Sequence, residues 1–171
     1  MRSGPLVLGL TGLVLSLALT GASVGQPQPR LMQAGLDDSN HIPYPAREIL
    51  EHADRFELLS LSPEHLREPA KNDFHGFRVL GQTSITSTEI RRKLVAAFEL
   101  GVSENDGVIA ACFNPRHGIR VVHRGKQADF VICFECRQVR VVGEGAGEFL
   151  VSNSPQPVFD KVLGDAHVPL P

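Results

Sequence analysis

The feature that most constrains this chain is the stretch at residues 107–142, "GVIAACFNPRHGIRVVHRGKQADFVICFECRQVRVV". Three runs rich in β-branched and aromatic residues are separated by "NPRHG" and "RGKQ". Both separators are made of residues that favour turns. The pattern predicts an antiparallel meander, with a further strand at "QVRVV" and an end at "GEGAG".

Upstream, "AREILEHA" at residues 46–53 carries Ile49, Leu50 and Ala53 at helical spacing. "RFELLSL" predicts a strand ended by "SPE", "LSPEHLREPAKNDF" a polar connection, and "GFRVLGQTSI" at residues 76–85 a second strand. The strongest helix signal is "TSTEIRRKLVAAFELG" at residues 86–101. Thr86 and Glu89 fit a capping box, Ile90, Leu94, Ala97 and Phe98 form the apolar stripe, and Gly101 is a natural stop. Arg91, Arg92 and Lys93 fall largely off that stripe and read as a solvated face. Near the end, Pro157, Val158, Phe159, Val162 and Leu163 predict a short terminal helix. The expected fold is therefore α+β: an antiparallel sheet with one main amphipathic helix and short flanking helices.

The N-terminus carries a different message. "MRSGP" supplies one positive charge, "LVLGLTGLVLSLALTGA" is uncharged and apolar, and small residues crowd "TGASVGQ". That order is the shape of a secretory signal peptide. The expected organisation is a signal at residues 1–25, an extended leader at 26–45, and a single globular α+β domain at 46–171. The mature chain would be exported, periplasmic or extracellular, without stable membrane insertion after cleavage. The alternative is an anchor formed by an uncleaved N-terminal helix, since an apolar run of roughly 17 residues is near the lower limit for a span. Ala22 stands where a lipidated cysteine would be needed, which argues against a lipid anchor. The formal net charge is −2 and no long block of one sign occurs. General binders of nucleic acid carry a strong basic excess, so nucleic acid is not an expected partner.

All three cysteines lie beyond the signal segment, spaced Cys112-x4-His117-x15-Cys133-x2-Cys136. An oxidising compartment favours a disulfide, and an odd count leaves one thiol over. Three thiolates and an imidazole are also an acceptable tetrahedral zinc set. Zinc would require the two neighbouring cysteines to converge. In a regular strand Cys133 faces one way and Cys136 the other, so convergence needs a break at Phe134–Glu135. In a simple meander, two strand spacings of roughly 10 Å separate Cys112 from Cys133, beyond the roughly 7 Å limit for a bridge. A thioredoxin-like site would need a helix start after the first cysteine, and "CFECRQVRVV" is a poor one. Cys112 with His117 is the remaining nucleophilic pair, and no third group stands out to position it. Simple burial as small hydrophobes stays open for all three sulfurs.

"NPRHGIR" is the second candidate site. Pro115 sets a turn and Gly118 relieves it, leaving Arg116 and His117 near its apex. With Arg120 and Arg137 they would offer a carboxylate or phosphate several donors, unless Glu135 neutralises one. "CFNPRHGIR" followed by "VICFECRQVRV" resembles small exported bacterial proteins of unknown function that share a CFxPRH…CFEC signature. The resemblance implies no activity and no cofactor. There is no P-loop, no dinucleotide fingerprint, no H-E-x-x-H and no G-x-S-x-G. The reading that follows is an exported binding or structural module for a protein or small anionic ligand, without a cofactor and leaning away from enzymatic activity. The alternatives are the zinc-site protein and a thiol-based oxidoreductase.

Overall fold

Short turns and alternating apolar residues set the architecture. In the computed structural model, which describes residues 40–68 and 71–170, three helices and seven strands follow one another along the chain. They are α1 (Tyr44–Glu51), β1 (Arg55–His65), β2 (Asp73–Phe74), β3 (Phe77–Ser84), α2 (Thr88–Ser103), β4 (His117–His123), β5 (Lys126–Cys133), β6 (Gln138–Gly143), β7 (Gly147–Leu150) and α3 (Gln156–Asp165). The strands form one antiparallel sheet in the order β2-β3-β1-β4-β5-β6-β7. The fold is α+β. Residues 1–25, expected as a signal, and 26–39 of the expected leader lie outside the described residues. Among the described residues no helix is long and apolar enough to cross a membrane.

The sheet is curled. Phe74 of edge strand β2 lies so close over Gly118 of β4 that a Cβ there would meet its ring at 2.8 Å. Since β3 and β1 stand between those strands, only a curled sheet brings them together. The two faces differ in what covers them. One face, bearing Phe56, Leu58, Ile119 and Phe130, is packed beneath all three helices. Phe98 of α2 sits at its centre, with ring centroids 5.8 to 6.0 Å from Phe130, Phe149 and Phe159. Such tilted and edge-on contacts add to the area they bury. The opposite face holds a smaller apolar cluster of Leu59, Leu61, Phe74, Phe77 and Val131, with Phe113 against it.

The meander runs through β4 to β7, and so contains two of the three runs foreseen and the further strand at "QVRVV" but not the first run. β4 and β5 meet through Arg124 and Gly125, both at positive φ (49° and 79°), the combination of a tight hairpin turn. "GVIAACF" is not a strand: residues 104–116 are a loop joining α2 to β4. The Asn105 and Asp106 side chains accept bonds from Gly107 N–H (2.6 Å) and Val108 N–H (3.1 Å), turning the backbone away from an extended path. "GEGAG" does not end the sheet but turns it into β7, with Ala146 N–H donating to the Gly143 carbonyl. "SPE" does not end β1 either. The strand runs on to His65 through register shifts after Ser60 and Leu61, where Pro63 cannot donate to the ladder.

Helix α2 is capped by Ser87, whose hydroxyl accepts from Ile90 N–H, in place of the expected Thr86–Glu89 box. Its buried positions are Leu94, Phe98, Gly101 and Val102, while Ile90 is exposed. Gly101 lies inside the helix because Pro155 packs directly on it: an added Cβ would come within 2.4 Å of that ring. Arg91 leaves the solvated face, bonding the carbonyls of Ala53 and Ile85.

Candidate functional site

Strand β5 stops at Cys133, and Phe134 to Arg137 form a turn whose last residue adopts positive φ (59°). This is the break at Phe134–Glu135 that convergence of the two sulfurs requires. Cys133 and Cys136 are joined as a disulfide, with Cα atoms 5.1 Å apart, and both are buried. Loop 104–116 folds over this turn. Ala110 N–H donates to the Cys136 carbonyl at 3.2 Å, and the Gln138 side-chain amide donates to the Ala110 carbonyl at 2.8 Å. Asn114 N–H points at Cys136 Sγ (3.2 Å), and the Asn114 carbonyl lies 3.3 Å from Cys133 Sγ. Cys112 is therefore held beside the bridge, free and exposed, with its Sγ 3.9 Å from Cys136 Sγ. Val108 and Ile109 are exposed on the same loop (59% and 54%).

His117 does not join the sulfurs. It opens β4, alternating with Gly118 so that its ring enters the helix-covered face. There it contacts Phe134 and Phe159 at 5.2 and 5.9 Å, and its Nε2 is 2.8 Å from Asp160 Oδ1. It is 1% exposed, not at a turn apex. Burial lowers its pKa below the ordinary histidine range, against the opposing pull of Asp160. Ser60, its cross-strand neighbour, is buried with an unpartnered hydroxyl. A serine, a histidine and an aspartate thus share this face: Ser60 and His117 are 0% and 1% exposed, and Asp160 is partly exposed. The alternative zinc set of Cys112, His117, Cys133 and Cys136 is not assembled, and among the described residues no group of three or more metal-ligating side chains is found.

Nor do the four basic candidates converge on a shared anion site, because each has its own carboxylate. Arg116 lies 3.6 Å from Glu135, Arg137 2.7 Å from Asp106, Arg120 2.7 Å from Asp129, and His117 2.8 Å from Asp160. The Arg120 pairing belongs to a larger cluster on the less covered face. Asp129, only 2% exposed, also meets His75 Nε2 at 2.8 Å and the Gln127 amide at 3.2 Å. Burial alone would raise its pKa, but hydrogen bonds from His75 and Arg120, together with the guanidinium charge, hold it below the usual carboxylate range. Arg120 also stacks on Phe74, 5.1 Å from the ring centre. The cluster fastens the β2 end of the curled sheet to β4 and β5.

Sequence reasoning missed Asp129, His75 and Asp160. Asp129 carried a signal, being a charged residue alone in the apolar run "ADFVIC". Its partner His75 lies 54 residues away and carried none. No family model, curated protein or solved structure matches the chain.

Proposed function

We propose that this chain is an exported α+β module that acts by binding a protein partner rather than by catalysis, through loop 104–116 and the disulfide turn beneath it. The observation that carries this reading is a contrast in pairing. Each group suited to acid–base or anion chemistry already has an ion-pair partner within the chain, whereas Val108, Ile109 and Cys112 stand exposed together on a loop stitched to the bridge. A small anionic ligand is the weaker choice, because each candidate cation already has a carboxylate beside it. Export is supported by the charge, apolar run and small-residue boundary of residues 1–25, and a bridge between cysteines is ordinary in that setting.

The test is site-specific crosslinking in cells that export the full chain. A benzophenone amino acid in place of Ile109 should yield a discrete protein adduct in the exported fraction, and the same group in place of Lys161 on α3 should not. Equal crosslinking at both sites, or recovery only from the cytoplasm, contradicts the proposal.

A further inference from the structure

The structure assigns Cys112 as the attacking thiol of an intramolecular disulfide exchange with the Cys133–Cys136 bridge. This goes beyond the binding reading and does not depend on it. Three features built into loop 104–116 and the turn carry the assignment. Cys112 is exposed, and its sulfur is 3.9 Å from Cys136 Sγ, one half of the bridge. Bond formation at about 2.05 Å asks that sulfur to advance by roughly 2 Å, within reach of a side-chain rotation and a small shift of the loop between its anchors at Ala110 and Asn114.

The leaving sulfur is already provided for. Cys136 N–H points at Cys133 Sγ from 3.1 Å, so a thiolate released there accepts a charge-assisted hydrogen bond. The Asn114 carbonyl stands 3.3 Å from the same sulfur. A bridged sulfur has no proton to offer that oxygen, whereas a Cys133 thiol donates to it. The contact is therefore better satisfied after exchange than before.

The step balances without an added oxidant. Cys112 loses its proton to solvent; its thiolate forms a bond to Cys136 Sγ as the Cys136–Cys133 bond breaks; the Cys133 thiolate takes up one proton. One disulfide and one thiol are present before and after. What changes is the surface: the 133–136 form presents an exposed thiol at Cys112, able to attack another protein's disulfide and form a mixed disulfide with one of its sulfurs as the other leaves as a thiol. The 112–136 form buries its only thiol at Cys133. The module alternates between a thiol-bearing and a thiol-free face. Because the attacking species is the thiolate, interconversion speeds as pH rises.

The experiment maps the free thiol. Mature protein is held near neutral pH, quenched in acid to stop exchange, then unfolded and alkylated under acidic conditions, and the label is located by tandem mass spectrometry. The expected result is label on both Cys112 and Cys133 and none on Cys136, with a faster approach to that mixture at higher pH. Label on Cys112 alone, or any label on Cys136, overturns the assignment. Independently, Cys133→Ser, reduced and reoxidised in dilute solution, should give a monomer with a Cys112–Cys136 bridge and no free thiol. Two remaining thiols, or disulfide-linked dimers alone, overturn it in a variant whose circular dichroism matches the wild type.

Discussion

The two faces of the sheet divide the work. Under the helices, apolar side chains interlock around Phe98, and burial lowers the pKa of His117, which lies among them. The opposite face has a far smaller apolar cluster and is held by directed contacts instead: a buried aspartate with three partners, an arginine on an aromatic ring, and a disulfide turn beneath a stitched loop. Hydrophobic burial needs only area, whereas ionic and covalent fastenings need particular atoms in particular places. The face poorer in apolar cover thus carries the Asp129 cluster and the disulfide turn, while the helix-covered face carries the His117–Asp160 pair.

The largest effect should come from the helix-covered face. Phe98→Ala is expected to cost about 3–5 kcal/mol in urea denaturation, against about 1 kcal/mol for the half-buried Phe113→Ala. Equal losses would break the contrast. Next comes Asp129→Asn, which leaves Arg120 and His75 without their carboxylate. Removing one partner of a fully buried pair costs about 3–5 kcal/mol, and since Arg120 is 36% exposed a loss of about 2 kcal/mol is expected after solvent screening. Reducing the Cys133–Cys136 bridge closes a shorter account. So small a loop is worth about 2 kcal/mol by chain entropy, read as a shift in the unfolding midpoint with reductant.

The faces should also differ in their response to pH. His117 is depressed in the folded state, so its stabilising contribution is full above the unfolded value of about 6.5 and is lost as pH falls from there towards its folded pKa. The slope cannot exceed about 1.4 kcal/mol per pH unit, and His117→Asn should remove it. Asp129 is likewise depressed, so its contribution is full above about pH 4 and is lost only below that, as pH falls through its folded pKa. A His117→Asn protein that keeps its whole slope near pH 6 would place the titration elsewhere. The smallest effect belongs to the exposed loop: Val108→Asp, beside the probe position and itself 59% exposed, should change stability by less than about 0.5 kcal/mol while abolishing the crosslink from the benzophenone at position 109.

The sequence made the class of fold and most element positions readable, because periodicity and turn residues are local. It misjudged "GVIAACF", whose apolar residues fit a strand, because Asn105 and Asp106 side chains divert the backbone and the Cys136 carbonyl takes the Ala110 amide. That error mattered, since a strand there places Cys112 two spacings from Cys133, whereas a loop brings it beside Cys136. The break after Cys133 was visible only as a condition, "CFEC" containing no strong turn former. His117 looked like a turn residue beside Pro115 and Gly118. The packing of Phe74 on Gly118 shows that this glycine serves a strand instead. Pairings such as His75–Asp129 and His117–Asp160 join residues 54 and 43 positions apart, and no local pattern encodes them.

The central claim is that the three sulfurs form one bridge and one thiol around Cys136. Thiol counting on the purified protein, unfolded without reductant and again after reduction, tests it most directly. One reactive thiol before reduction and three after it, with Cys136 labelled only in the reduced sample, is the predicted result. Three thiols before reduction, or Cys136 labelled without reductant, would contradict it.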